Sequence, residues 1–300
     1  MLDPRRLRAL REVDARGSIA SAAQALGYTP SAVSQSIAAM ERYLSLRLLE
    51  RTSRGVTLTP AGVRLVEHAD VILAHLDAAE REARALRSSD AEISLTLATF
   101  ASGVDLVVRA TADLAKSRPN TELRIVEADP GFSIPELRTG GVDVALTYVN
   151  DSLPTEAPAW MEETPLLVEP VVAIVPEEHP LAGRQDVGLA ELAGERFIAE
   201  PAADHRPLTL VACHRAGFEP QVAGYSSDFA LTTALVARGG AVALVPNMAL
   251  RNAAGVVGLP LTAPSLTRRV LAATRAGNAR VPGVAALLGA LRRAAASRPQ

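Results

Sequence analysis

Between positions 18 and 35 the uncharged hydrogen-bonding residues include Ser18, Thr29, Ser31, Ser34 and Gln35. A hydroxyl both donates and accepts, and a glutamine amide does so in the paired geometry that suits an adenine edge. Arg51 and Arg54 follow closely and supply the charge that phosphate oxygens take. Farther along, polar side chains sit behind apolar runs: Thr99 and Ser102, Thr147 and Tyr148, Glu200 with Arg206, and Tyr225 with Ser226. Groups of that kind hold a small polar molecule. Catalysis needs more, and the chain has no GxGxxG, P-loop, HExxH or GxSxG pattern. Cys213 and His214 are neighbours on an expected helix, where consecutive side chains diverge, so they do not pair as nucleophile and base. A lone cysteine excludes an internal disulfide and a cysteine-rich zinc site, and His68 with His75 lack a third ligand. No catalytic residue, metal site or cofactor is expected.

The elements that must present the first group follow from apolar spacing. Leu7, Leu10 and Val13 give one face of a helix over residues 4–15. Ser18 caps a second helix, IASAAQAL, which stops at Gly27, a residue suited to the left-handed turn after a helix. Thr29 caps a third, with Pro30 at its first position, where a missing N–H costs nothing. Val33, Ile37, Met40 and Leu44 form its buried stripe. At about 100° per residue, Ser31, Gln35, Ala38 and Arg42 then lie opposite, with Ser34 at the margin. Helix, tight turn, helix is the layout that sets its second helix in a major groove, although small residues also fill the crossings of any bundle. The next stretch, RLLERTSRGVTLT, weighs toward DNA: it predicts a hairpin with Arg54 at its tip, suited to phosphates or the minor groove.

Thr59-Pro60 reads as another cap. From there Leu65, Ala69, Ile72, Leu76, Ala79, Ala83 and Leu86 are spaced 4, 3, 4, 3, 4, 3, a heptad seam. The same stripe would serve a helix lying on its own domain; charged residues at 80, 81, 82, 84 and 87 leave it narrow and favour a second copy. From about residue 91 the runs ISLTLA, ELRIVE and VDVALT alternate with helical stretches at 103–116 and 134–140, which predicts a parallel α/β sheet. A second series, EPVVAIV, RFIA, QVAGY and AVALV, begins near 168; TRRVLAA and a helix from about 282 follow. In such sheets ligands sit at the carboxyl ends of strands and the N-termini of helices, where the second group of polar residues falls. Each of Ser102, Ser226 and Asp228 serves equally as a plain helix cap, and Arg206 has Glu200 and Asp204 as internal alternatives to a carboxylate ligand.

Charge divides the chain in the same place. Residues 1–60 hold nine arginines and five acids, a balance of +4, so the other 240 residues carry −6 of the total of −2. The basic part suits a polyanion; the acidic remainder argues against a protein that coats DNA without selectivity. Three hundred residues imply two or three domains. The start is charged from residue 3 and has no apolar signal core, and no apolar run approaches membrane-spanning length, so a soluble cytoplasmic protein is expected.

The run ARGSIASAAQALGYTPSAVSQSIAAMERYLSLRLLERTSRGVTLTPAG is similar to the winged helix-turn-helix of LysR-type transcriptional regulators, and GGVDVALTY, EEHPLA and GGAVALVP continue the likeness more loosely. One residue departs: many members carry arginine after the serine that is Ser34 here, where this chain has Gln35, which moves the preference at that base pair from guanine toward adenine. The resemblance implies an α/β protein with an N-terminal all-α winged helix-turn-helix over 1–59 and a dimerising linker helix over 60–88. It further implies a two-lobed, periplasmic-binding-protein-like effector domain over 91–300, with lobe 1 at about 91–165 and 266–300 and lobe 2 at about 166–265. The implied function is sequence-specific transcription regulation. The implied partners are double-stranded promoter DNA with an interrupted palindrome, a small effector (a carboxylate being the anionic candidate), and further copies as dimer and tetramer. The DNA would meet Ser18, Thr29, Pro30, Ser31, Ser34, Gln35, Arg51 and Arg54; the effector would meet Thr99, Ser102, Thr147, Tyr148, Glu200, Arg206, Tyr225 and Ser226. Two alternatives stand beside it: a ligand-independent DNA-binding protein, and an enzyme on a periplasmic-binding-like fold.

Overall fold

Three side-chain caps build the N-terminal helices. Asp3 accepts from Arg5 N at 2.8 Å and opens α1 (Pro4–Arg16); Ser18 accepts from Ser21 N at 3.0 Å and opens α2 (Ile19–Leu26). Thr29 accepts from Ala32 N at 3.2 Å and opens α3 (Pro30–Leu44). Each cap satisfies one of the orphan N–H groups of a first turn. The computed structural model describes residues 2–52, 55–85, 93–151, 156–201, 207–251 and 253–297, with only the backbone at 51, 52, 81, 82, 84, 85 and 93. The chain forms two compact units, one of residues 1–91 with 158–162 and 275–282, the other of 92–157, 163–274 and 283–300.

In the first unit α1, α2 and α3 close on Leu7, Leu10, Val13, Ala22, Ala23, Val33, Ile37 and Met40, all at most 3% exposed. A two-stranded antiparallel hairpin follows, β1 (Leu49–Thr52) and β2 (Gly55–Leu58), with Leu49 opposite Leu58. Its tip residues Ser53 and Arg54 lie outside the described residues. The helix α4 (Pro60–Ala85) starts at the cap expected: Thr59 accepts from Gly62 N at 3.0 Å while its hydroxyl donates to the Arg47 carbonyl at 2.7 Å. Gly62 is obligatory here, since an added Cβ would stand 2.2 Å from the Leu48 carbonyl oxygen.

The seam on α4 divides. Val66, Ala69 and Leu73 join the core of α1–α3, so Ala69 serves its own subunit. Ile72, Leu76, Ala79 and Ala83 stay exposed, and Leu65 is half-buried; Leu86 lies outside the described residues. Helical drift explains the split, because an uncoiled helix rotates about 20° per heptad and the stripe near α1 is captured by it. Segments 158–162 and 275–282, which the sequence gives to the first lobe, belong to this unit: Ala276 N donates to the Trp160 carbonyl at 2.7 Å and Gly277 N to Glu162 at 2.9 Å.

The second unit is built on one sheet. Its strands are β3 (Ile93–Thr99), β4 (Thr121–Glu127), β5 (Val144–Asn150), β6 (Met161–Pro176), β7 (Arg196–Ala199), β8 (Gln221–Tyr225), β9 (Val242–Pro246), β10 (Val256–Pro260) and β11 (Thr267–Arg275). The order is β4-β3-β5-β11-β6-β9-β7-β8, with β10 on β6. Helices α5 (Val104–Ser117), α6 (Pro130–Thr139), α7 (Leu208–Arg215), α8 (Phe229–Ala237) and α9 (Pro282–Ala296) complete it. The parallel pairing expected from the alternation holds within each strand series, and the sheet as a whole is mixed. Pairs β3–β4, β3–β5, β7–β8 and β7–β9 are parallel, whereas β11 runs antiparallel to β5 and β6 antiparallel to β9 and β10. The physical reason is that β6 and β11 link the two strand series directly, without a crossover helix. Strand β6 begins at Met161 rather than near 168 because its first half is only partly buried and lacks an apolar run. Helix α6 begins at Pro130, behind Asp129, four residues before the expected start.

Candidate DNA-binding face and effector cleft

On α3 the apolar stripe is spent inward, and Pro30, Ser31, Ser34 and Gln35 are exposed side by side. Thr29 and Ser31 share a hydroxyl contact at 3.0 Å, and the Ser18 hydroxyl bonds that of Ser21 at 2.8 Å, so the two caps are ordered by their neighbours. A groove runs between α3 and the hairpin, lined by Ile19, Ser34, Ala38, Glu41, Arg47 and Glu50 among others. Glu41 turns inward: its Oε1 accepts from Leu48 N at 2.8 Å and Leu49 N at 3.3 Å, fixing the chain as it enters β1. Arg47 is exposed on the groove and offers a cation that sequence reading passed over. The backbone of Arg51 pairs with Val56 in the hairpin; its side chain, and Arg54 entirely, lie outside the described residues.

The second group of polar residues assembles at strand ends, as the βαβ rhythm requires. Thr99 ends β3, and Thr147 and Tyr148 lie near the end of β5, its parallel neighbour. Glu200 follows β7, and Tyr225 and Ser226 close the parallel β8, with Ser226 N donating to the Ala199 carbonyl at 2.9 Å. Between the two strand series lies a buried cation. Arg268 on β11 donates from Nε to Glu169 Oε1 at 2.6 Å and from Nη2 to Ser102 Oγ at 2.7 Å. Its guanidinium stands 5.0 Å from the Phe100 ring centre and 4.8 Å from that of Tyr148, a cation against two aromatic faces. Those rings meet edge to face at 5.2 Å. Glu169 Oε2 accepts from Met248 N at 2.7 Å, so one carboxylate ties β6 to β11 and to the turn after β9. Asp105 at the start of α5 forms an ion pair with Arg251. Burial raises the Tyr148 hydroxyl pKa, Arg268 opposes that, and the carboxylates of Asp129 and Glu200 add to it.

Two family profiles cover this architecture. One, described as the bacterial regulatory helix-turn-helix protein of the lysR family, matches residues 4–63; the other, the LysR substrate binding domain, matches residues 89–296. The chain belongs to the LysR family of transcriptional regulators. A probable hydrogen peroxide-inducible genes activator of Streptomyces viridosporus is 32% identical to it over 96% of this chain and 93% of its own length. The HTH-type transcriptional regulator ShiR of Corynebacterium glutamicum is 31% identical over 87% of this chain and 88% of its own. A full-length OxyR from Pseudomonas aeruginosa shares the fold with a TM-score of 0.68 at 21% identity, covering 97% of this chain and 95% of that one.

As a LysR-family effector domain, the second unit treats its expected contact residues unequally. Ser102 and Tyr148 are brought together by Arg268. Thr99 and Thr147 are buried at 5% and 6% exposure, and the Thr99 hydroxyl donates to its neighbour's carbonyl. Glu200 accepts from Thr209 N at 3.2 Å and so caps α7. Ser226 is spent on a local turn with Asp228, while Tyr225 is exposed. Arg206 lies outside the described residues. Ser102 had been expected to present a helix N-terminus; instead a short turn over Ala101–Gly103 precedes α5, and the hydroxyl accepts from Arg268. Arg268 and Glu169 went unnoticed in the sequence, yet a signal was present. Period-two alternation puts Arg268 on one face with Val270 and Ala272, and Glu169 with Val171 and Ala173, so two opposite charges point into the core from neighbouring strands. Cys213 is fully buried in the apolar core of the second strand series, and its thiol is pushed up to about 12, by burial first and then by Glu200 and Glu219.

Proposed function

We propose that this LysR-family regulator reads its operator with α3 and answers to a small molecule held between the two strand series of its effector domain. One observation carries the first half: Ser31, Ser34 and Gln35 stand exposed in a row beside a groove walled by the hairpin. In this reading Ser18, Thr29 and Pro30 seat the helix ends on the backbone, Gln35 reads a base edge, and Arg47, Arg51 and Arg54 meet phosphate or the minor groove. Residues 1–59 act as the winged domain, 60–88 as the linker and 91–300 as the two-lobed effector domain. The exposed residues Ile72, Leu76, Ala79 and Ala83 support pairing of two linker helices, with a tetramer assembled from such dimers on an interrupted palindrome. The effector contacts are Thr99, Ser102, Thr147, Tyr148, Glu200, Arg206, Tyr225 and Ser226, around Arg268.

A regulator working on promoter DNA belongs in the cytoplasm, and among the described residues no helix is long and apolar enough to cross a membrane. Relatives act as transcription regulators, and the polar groups of the cleft are engaged in hydrogen bonds and caps rather than arranged as nucleophile and base, which favours binding over catalysis. Peroxide sensing through an internal disulfide needs two cysteines, and this chain has Cys213 alone.

The test is a comparison on DNA. With an operator selected from random duplexes, Gln35→Ala should cost about 1–3 kcal/mol and relax choice at one base pair, while Arg47→Ala should weaken all sequences alike and lower the salt slope. Equal losses on operator and random DNA for Gln35→Ala would overturn the readout.

A further inference from the structure

Arg268 is 4% exposed, yet its five N–H donors are only partly used. Nε serves Glu169 and Nη2 serves Ser102; among the described residues no acceptor takes the two N–H groups of Nη1. The Ser102 hydroxyl accepts from Arg268 and keeps its own proton to donate. Nη1 is not among the buried side-chain atoms left without a partner, so its N–H groups reach solvent beside the two aromatic rings and an arriving acceptor replaces water there.

The charge of that acceptor follows from what surrounds it. Glu169 already neutralises Arg268 at 2.6 Å. A carboxylate arriving on Nη1 would stand about one guanidinium width from the Glu169 carboxylate, and two such groups at close range in low dielectric do not both stay ionised. Helix N-termini are the usual remedy, and here each has a carboxylate beside it. Asp105 lies in the first turn of α5, Asp129 precedes α6, Glu200 accepts from Thr209 N at the start of α7, and Asp228 accepts from Ala230 N and Leu231 N of α8. The carboxylates of Glu200 and Asp228 take first-turn N–H groups of α7 and α8, while Asp105 and Asp129 add negative charge at α5 and α6 without capping them, so a second anion meets a like charge at each of these helix starts.

We infer that Glu169 sets the effector class of this cleft: by holding Arg268 it bars carboxylates and leaves the remaining guanidinium donors to an uncharged acceptor, a carbonyl or hydroxyl oxygen. The inference rests on the cleft being the effector site, and of the anionic or polar small molecules that the sequence left open it selects a neutral polar one. Glu169 acts through Arg268 and is a specificity-determining residue without touching the ligand.

The experiment uses the full chain and two probes of equal size, sodium acetate and acetamide, in thermal unfolding at matched ionic strength. Wild type should respond to acetate no more than to sodium chloride, and acetamide should stabilise it. Glu169→Gln keeps an acceptor for Met248 N and frees the cation, so acetate should now stabilise saturably, at least tenfold tighter than in wild type. A saturable acetate response in wild type would overturn the inference, and that arm stands by itself should Glu169→Gln not fold. So would a folded Glu169→Gln protein without the gain, or one whose gain survives an added Arg268→Gln change. Failure of the underlying reading looks different: Glu169→Gln gains acetate binding while operator affinity stays unmoved by acetate, which supports charge selection and sinks the effector role.

Discussion

Arg268 and Glu169 meet across neighbouring strands at 2.6 Å, with 4% of each side chain exposed. Such a pair is costly to break from one side, because the abandoned charge stays buried.

Glu169→Leu should therefore lose about 3–5 kcal/mol of stability. Met248 N loses its acceptor in the same change. Urea unfolding followed by circular dichroism measures this; a loss below about 1 kcal/mol would mean that Arg268 finds water or another acceptor at once.

Ile72 and Leu76 are 41% and 36% exposed on α4, facing away from their own core. Replacing both with glutamate should give a monomer by light scattering while the fold of the winged domain persists, since Val66, Ala69 and Leu73 are untouched. A double variant that stays dimeric through α4 cross-links would refute the seam.

Gly62→Ala pushes a methyl group to 2.2 Å from a carbonyl oxygen, so the helix start must move off the hairpin. Overpacking of that kind costs about 1–3 kcal/mol. The melting temperature should fall, and operator binding should weaken although residue 62 is off the groove. An unchanged melting temperature would contradict the close approach.

The Cys213 thiol is raised from 9.0 to about 12 by burial and the nearby carboxylates of Glu200 and Glu219. A raised acid group keeps its protonated form in the fold, so its contribution is full below pH about 9 and is lost as pH rises toward 12, at most about 1.4 kcal/mol per unit. Wild type should lose stability over that window faster than Cys213→Ala. A disulfide reagent should label the native chain at least about a hundredfold slower than the unfolded one, as thiolate is the reactive form. Fast native labelling would show the thiol to be accessible.

The N-terminal helices were legible because each local rule agreed with the tertiary outcome. Ser18, Thr29 and Thr59 cap where their side chains allow, and Val33, Ile37 and Met40 fall on the buried side. Strand existence was equally readable at RFIA and QVAGY, which became β7 and β8. Strand direction was not: β6 and β11 look like any apolar strand, and antiparallel pairing depends on partners far away in sequence. The candidate cleft residues were found by position at strand ends. Their hydrogen bonds were hidden, since Ser102 depends on an arginine 166 residues later and Glu200 on a backbone N–H in α7. A charged residue inside a strand reads as solvent-facing unless its period-two face is followed through, and that step alone would have exposed Arg268.

Thr59 and Gly62 fasten the start of α4 to the loop before the hairpin, through the Arg47 carbonyl at 2.7 Å and a contact with Leu48 too tight for any side chain. There is accordingly no joint between wing and helix, and the two form a single stiff arm. Its 26 helical residues, at 1.5 Å each, make it about 39 Å long. Leverage then does the rest: tilting such an arm by roughly 5° carries the hairpin about 3.4 Å, one base step along a DNA strand. If the hairpin meets DNA as proposed, its register there would answer to small changes in the angle of the helix.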